Sequence, residues 1–351
     1  MIFFRENLSK MAFVLSNQLS TSTENGIPLG NPYAKKKAIY LNYTPYLLVC
    51  DSKSLTKEYE KLDITKTTRK EDNNLKLFAA ELNFLNLKYE PSEGKKSILL
   101  YIGSSPGHHI PKLAALYPEL EFHCYDSVEP SEELKSFASL KKRSGLSGVQ
   151  LFNKLFSYDD IEQYINPDID VYVITDFTNP NIQTDLEIKK SANRDLLRQQ
   201  KEQLLMEDMQ LQAEWMKIMK PKEACLKFRL PHYYKDVSII NTFDYFQGIV
   251  YRNIFTEPKT TECRIFVSDF ESSTPWNFQR FEEQMNYYNF IVRETPVLNP
   301  ITNGTGGFFH FGNGFDQIIF LWILKDYFIT RSHNYVLSEE LINLYNFIVS
   351  K

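Results

Sequence analysis

Residues 97–107 read SILLYIGSSPG, and this stretch constrains the fold more than any other. Ile98, Leu99, Leu100, Tyr101 and Ile102 form an unbroken apolar run of the kind carried by a strand buried on both faces. The run passes directly into a turn from Gly103 to Gly107, where missing Cβ atoms let backbone approach a ligand closely. Pro106 and the apolar positions Ile110, Leu113, Ala114 and Leu116 predict a helix that packs back onto the sheet. The next strand, Leu120–Tyr125, ends in Asp126. An acid at that strand end is placed to accept hydrogen bonds from ribose hydroxyls in a Rossmann-like unit. Position 105 is Ser, so the dinucleotide fingerprint Gly-x-Gly-x-x-Gly is absent. The loop therefore leans toward a nucleoside ligand such as S-adenosylmethionine rather than NAD.

The 351 residues, 43% hydrophobic with 26 Phe and 21 Tyr, supply core enough for one large domain with extensions. A net charge of −4 argues against a chain wrapped on all sides in nucleic acid and leaves room for a local basic groove. Cys50, Cys124, Cys225 and Cys263 fall singly, without metal-ligand spacing, and read as reduced, buried thiols. The opening residues lack the apolar core of a signal peptide, and the run Ile318–Leu324 is far below the ~20 residues that span a bilayer. The expectation is a soluble protein of a reducing compartment, with no membrane partner. Residues 1–55 are read as an N-terminal arm: 1–34 show no sustained period, and 35–50 form a β segment behind Lys35, Lys36 and Lys37. A domain then covers 56–330, and 331–351 form a C-terminal helical extension.

Within that domain, Leu75, Phe78, Ala79, Leu82 and Leu85 predict an amphipathic helix with Lys76 and Glu81 off its apolar stripe. Strands are expected at Val149–Phe152 and Val171–Thr175, the second ending in Asp176. In doubly wound sheets ligands bind outside the carboxyl ends of strands, so Asp126 and Asp176 are expected to flank one crevice. A charged helix over 185–219 stops at Pro221, and the strand Glu223–Phe228 that follows carries Lys227 in an otherwise apolar run. A lysine there is costly to bury and marks a candidate functional group. Two antiparallel strands, Ile249–Phe255 and Thr261–Val267, follow, with Glu262 opening the second. An aromatic helix at Trp276–Phe290, a Gly/Asn-rich loop at Asn299–Gly314 and apolar segments at Phe315–Phe328 and Leu337–Val349 complete the chain.

Together, KLFAAELNFL, YIGSSPGHHI, the strand ending ITD, CLKFR, TECRIF and FEEQMNYYNFIVRE resemble the poxvirus family of cap-specific mRNA (nucleoside-2′-O-)-methyltransferases, which also serve as stimulatory subunits of poly(A) polymerase. The resemblance runs from Tyr59 to Asp326. It implies an α/β fold, a Rossmann-like S-adenosylmethionine-dependent methyltransferase with a central, mostly parallel sheet and helices on both faces.

The resemblance further implies a Lys-Asp-Lys-Glu tetrad made of Lys76, Asp176, Lys227 and Glu262. A ribose 2′-hydroxyl is a weak nucleophile at neutral pH, so methyl transfer needs a base or strong O–H polarisation. Lys227 would accept or orient that proton, with Lys76 as the neighbouring cation and the two acids holding the amines. For S-adenosylmethionine the resemblance implies Tyr101, Gly103 and Gly107 along the cofactor, Asp126 at the ribose, Phe156 by the adenine, and Asn74 and Asp176 at the amino-acid end. Val128 departs from the family, which has an arginine there. For the positively charged 7-methylguanine cap, clamped between rings by cation–π attraction, Tyr59 and Glu282 match. The second ring is either His232 or Tyr233, with Asp236 as the further acid. The implied partners are capped mRNA, along a groove for which Lys35–Lys37, Arg229 and Lys235 are candidates, and the catalytic subunit of a viral poly(A) polymerase. The implied location is the cytoplasm of the infected host cell, with packaging in the virion left open. Two alternatives stand beside this reading: a non-catalytic RNA-binding polymerase subunit, and a cap-independent RNA 2′-O-methyltransferase.

Overall fold

The computed structural model of the chain describes residues 48–50, 54–56, 71–144, 148–179, 182, 188, 193–232, 241–258, 260–294, 314–331 and 338–349. Tyr59, Tyr233, Lys235, Asp236, Lys35–Lys37, most of the expected arm and nearly all of the Gly/Asn-rich loop lie outside the described residues.

In chain order the elements are β1 (Val49–Cys50), α1 (Asn73–Lys88), β2 (Lys96–Ile102), α2 (Ile110–Leu116), β3 (Glu121–Asp126), α3 (Glu132–Ser144), β4 (Val149–Asn153) and β5 (Ile169–Thr175). After these come α4 (Arg194–Met219), β6 (Glu223–Phe228), β7 (Thr242–Phe246), β8 (Ile249–Arg252), β9 (Cys263–Val267) and β10 (Ser273–Asn277). Three helices close the described chain: α5 (Phe278–Phe290), α6 (Phe315–Thr330) and α7 (Ser338–Val349). Eight strands form one sheet in the order β1-β8-β9-β6-β5-β2-β3-β4, and β10 pairs with β7 in a separate ribbon.

The five strands from β4 to β6 are parallel, and β9, β8 and β1 extend the sheet antiparallel. Chain direction across the sheet reverses between β2 and β5: β2, β3 and β4 step one way, β5 and β6 the other. Right-handed crossovers then put α2 and α3 on one face and α4 on the opposite face. This is the Rossmann-like α/β arrangement, and its reversal point leaves a crevice at the carboxyl ends of β2 and β5.

Local sequence accounts for the ends of the elements. Asp72 caps α1, its side chain accepting from the Leu75 amide at 3.1 Å. Lys220 takes a left-handed backbone conformation (φ 49°) ahead of Pro221 and stops α4. The expected aromatic helix starts two residues later than predicted: Ser273–Asn277, Trp276 included, pairs with β7, and Asn277 then caps α5. The other correction concerns α1. It is not a half-exposed amphipathic helix: Glu81 is only 1% exposed, and Asn83 and Asn86 are buried as well. Two sets of neighbours account for this: Tyr101 and His109 close over Glu81, and α6 packs along Phe78 and Asn86. Phe78 meets Phe320 edge-on at 6.0 Å, and the Asn86 amide donates to the Ile323 carbonyl at 2.9 Å.

Val49 and Cys50, inside the expected arm, pair with β8, so the sheet begins before residue 56. At the other end α7 contributes Leu341 and Ile348 to the core. All four cysteines are buried and none forms a disulfide. Among the described residues no helix is long and apolar enough to cross a membrane.

Two glycines shape the loop after β2. Gly103 sits at φ +86°, where an added Cβ would collide with the Phe177 backbone nitrogen and lie 2.5 Å from its Cα. Gly107, at φ +70°, would place a Cβ 2.7 Å from both the Leu134 side chain and the Ser104 carbonyl oxygen. Both positions are thus reserved for glycine by the protein's own packing. Gly103→Ala should lower unfolding free energy by about 2–4 kcal/mol, since a left-handed backbone and a backbone clash add. Urea unfolding checks this, and a wild-type midpoint would contradict it.

Candidate functional site

Asp176 follows β5 directly, its amide donating to the Ile102 carbonyl at 2.8 Å, so it stands at the reversal point beside the β2 loop. Lys227 lies on β6, the next strand, and is 17% exposed. Its cross-strand partner on β9 is Arg264. Because β9 runs antiparallel, its first residues reach the same carboxyl edge, and Glu262 lies two positions before Arg264 on the same strand face. Lys76 arrives from the first turn of α1. Sequence positions 76, 176, 227 and 262 therefore converge at one sheet edge.

The contacts form a continuous chain. Lys76 Nζ lies 3.2 Å from Glu262 Oε1, which is 3.8 Å from an Arg264 guanidinium nitrogen. The same nitrogen donates to Asp176 Oδ1 at 2.7 Å, and Asp176 Oδ1 lies 3.4 Å from Lys227 Nζ. Arg264 also donates to the Thr175 carbonyl at 2.9 Å, Lys76 to Glu71 Oε1 at 2.9 Å, and Lys227 Nζ to Thr178 Oγ1 at 2.7 Å. Glu262 Oε1 is buried, and Lys76 and Arg264 approach it within 4 Å from two sides.

Burial favours the neutral form of each acid, but proximity to basic groups outweighs it. Lys227 and then Arg264 hold Asp176 below the usual carboxylate range. Lys227, Lys76 and Arg264 do the same for Glu262. Burial likewise opposes the charge of Lys76, yet Glu262, Asp176 and Glu71 raise its pKa above the ordinary lysine value. Arg264, whose side chain is 1% exposed, is raised in the same way by Asp176 and Glu262. Two carboxylates are thus kept ionised and Lys76 and Arg264 kept protonated through neutral pH.

The residues expected around a nucleoside cofactor have different exposures and partners. Asn74 is exposed in the first turn of α1, two residues before Lys76. Gly103 and Ser104 donate their amides to the Tyr125 carbonyl at 2.8 and 3.2 Å, tying the loop to β3. Asp126 sits at the end of β3. Its Oδ2 accepts from the Ser105 amide at 2.9 Å and its Oδ1 from the Val128 amide at 2.8 Å. Tyr101 differs from its expected role: its ring is wholly buried, with the hydroxyl donating to Glu81 Oε1 at 2.5 Å and 3.3 Å from His109 Nε2. Strand alternation points that side chain into the core beneath the loop, leaving only backbone toward the crevice. Phe156, 6% exposed, packs edge-on against Tyr125 and Trp215, each at 5.1 Å.

His232 and Glu282, two residues of the expected cap clamp, meet: His232 Nδ1 lies 2.9 Å from Glu282 Oε1, and the His232 amide donates to Glu202 on α4 at 3.3 Å. Sequence reading missed Arg264, Glu71, Thr178 and Gln212. Of these only Arg264 left a signal, an arginine at the centre of the apolar strand CRIFV.

The fold and the site define a Rossmann-like α/β protein with charged side chains gathered at the reversal point of its sheet. The family model for the poly(A) polymerase regulatory subunit matches residues 42–350. The chain belongs to that family, whose description implies a polymerase partner. No curated protein matches the chain.

The charge cluster sets a pH signature. Asp176 and Glu262 have lowered folded-state pKa values, so the stability they contribute is present above about pH 4–4.5, the unfolded carboxylate range, and is lost as pH falls through the folded values. Lys76 acts oppositely: its contribution is present below its ordinary value and lost as pH rises through the raised one. Arg264→Leu removes the shared cation and should cost about 3–5 kcal/mol at pH 7. It should also flatten the acid-side loss, read from urea midpoints between pH 3 and 8. An unchanged slope below pH 4.5 would refute the shared-cation account.

Proposed function

We propose that this chain is a cap-specific mRNA 2′-O-ribose methyltransferase that also acts as the processivity subunit of a viral poly(A) polymerase in the cytoplasm of the infected cell. The observation that carries the reading is the chain of contacts joining Lys76, Glu262, Arg264, Asp176 and Lys227 at the reversal point.

The crevice fits S-adenosylmethionine. Asp126 uses one lone pair of each oxygen on the loop amides, leaving another on each for ribose hydroxyls. In this reading Asn74 and Asp176 would take the amino-acid moiety, Gly103, Gly107 and the Tyr101 backbone would run along the cofactor, and Phe156 would lie by the adenine. When bound, the cofactor supplies an electrophilic methyl group on a sulfonium sulfur.

The remaining work belongs to the chain. Lys227, tethered through Thr178 and Asp176, meets the ribose 2′-hydroxyl and orients or takes its proton. Asp176 and Arg264 fix where that amine sits, and Lys76 with Glu262 sets the local charge. A proton accepted by Lys227 leaves to solvent through its partly exposed face. Cap recognition would fall to the paired His232 and Glu282 with Tyr59, Tyr233 and Asp236. A carboxylate–imidazole pair can hold a cationic base edge, and the rings add cation–π attraction. A second reading, favoured by the family description, is a non-catalytic RNA-binding polymerase subunit.

The test is methyl transfer from labelled S-adenosylmethionine to short RNAs with and without a 7-methylguanosine cap, the modified nucleoside being identified. Cap-dependent 2′-O-methylation of the first nucleotide is expected. Lys227→Ala should reduce turnover at least about 10²-fold while calorimetric affinity for S-adenosylmethionine stays unchanged. Cap-independent methylation would discard the cap clamp. Absence of turnover with intact RNA binding would favour the non-catalytic subunit.

A further inference from the structure

The parallel pairing of β5 with β6 ends at Ile174 and Cys225, two residues before Lys227. Beyond that point the strands have no ladder between them, and the Lys227 amide and carbonyl need other partners. Two buried side chains provide them. The Lys227 N–H donates to Thr175 Oγ1 at 3.0 Å, and Gln212 Nε2 on α4 donates to the Lys227 carbonyl at 3.3 Å. The Thr175 hydroxyl donates in turn to Gln212 Oε1, which closes a ring of three hydrogen bonds.

The orientation of the ring is dictated. A carbonyl oxygen can only accept, so Gln212 must turn its NH₂ to Lys227 and its oxygen to Thr175. Thr175 is fully buried and Gln212 is 2% exposed, so water cannot replace either one cheaply. One turn earlier on α4, Asp208 accepts the Asn179 amide at 2.9 Å. That bond steadies the segment carrying Thr178, whose hydroxyl receives Lys227 Nζ. The helix thus controls the lysine at its backbone and at its tip.

We infer that Gln212 is a positioning residue, which sets where the Lys227 amine meets the 2′-hydroxyl by replacing the missing β5–β6 ladder with a side-chain ring. This rests on the reading of Lys227 as the group that meets the substrate. Strand ends that splay open room at the carboxyl edge, and the ring lets them splay without loosening the lysine.

Gln212→Met, Thr175→Val and the double variant test it in the full chain, with S-adenosylmethionine and the capped RNA as substrates. Each single variant should lower kcat by about 10- to 100-fold, the range that small misplacement of a reacting group produces, with KM for S-adenosylmethionine within about twofold of wild type. The double variant should lose no more than the worse single one, as members of one ring are non-additive. Hydrogen exchange at the Lys227 amide should quicken at least about fivefold in both singles. A lowered thermal midpoint with unchanged kcat, or multiplicative losses in the double variant, would overturn the inference. Where wild type transfers no methyl group, the proposed activity fails, and exchange at Lys227 alone decides the ring: no acceleration refutes it. Thr175→Val changes volume little and carries the test if Gln212→Met does not fold.

Discussion

The carboxyl edge of this sheet depends on one buried guanidinium. Lys227 and Arg264 are directly opposed across an antiparallel pair, a placement in which like charges repel. Asp176 resolves the conflict by lying within reach of both, and Glu262 flanks Arg264 on the far side. A single arginine therefore joins the two acids, and Thr175 anchors its other arm through the backbone. Arg264 suits this position better than lysine would, since a planar fork can serve a carboxylate and a carbonyl at once without losing its charge to burial.

That edge is held from outside the sheet as well. Lys76 depends on where α1 begins, and the start of α1 is fixed by the Asp72 amide donating to the Phe255 carbonyl at 3.0 Å. Phe255 has a left-handed backbone (φ 56°), costly for an aromatic residue, and its amide donates to Asp316 at 3.0 Å. Asp316 is in turn bound by two nitrogens of the fully buried Arg293, at 2.5 and 3.1 Å. A polar relay through α6 thus sets the entry of α1. It explains why a helix that begins with exposed residues is then buried on nearly every side.

How much of this was legible in the sequence follows from what each residue needs of its neighbours. The strand and loop at 97–107 announce themselves because unbroken apolar runs and positive-φ glycines are local demands. Asp176 and Lys227 stood out as charges at a strand end and within an apolar run, and Lys76 and Glu262 came from the family resemblance. Their meeting was beyond any local rule, because it is made by strand order. Glu81 was misjudged for the opposite reason: a helix stripe assumes one wet face, and the Tyr101 hydroxyl and His109 ring that cover Glu81 come from the next strand and loop. Gln212 was invisible, since a glutamine in a charged helix looks like solvent-facing surface until the strand ladder it replaces is known to end.

The two halves of the sheet carry different parts of the site. The parallel half, β2 to β5, supplies the glycine loop, Asp126 and Asp176 at the carboxyl edge of the sheet. The antiparallel extension supplies Glu262 and Arg264, and it pairs with Lys227 from the side opposite β5. An antiparallel strand is the economical way to do this, because it brings residues preceding the strand to the edge where parallel strands end. A crevice built from parallel strands alone would offer Asp126, Asp176 and Lys227. Adding β9 reversed brings Glu262 and an arginine that, together with Lys227, keeps Asp176 and Glu262 ionised, so the charged cluster is complete only where parallel and antiparallel strands meet.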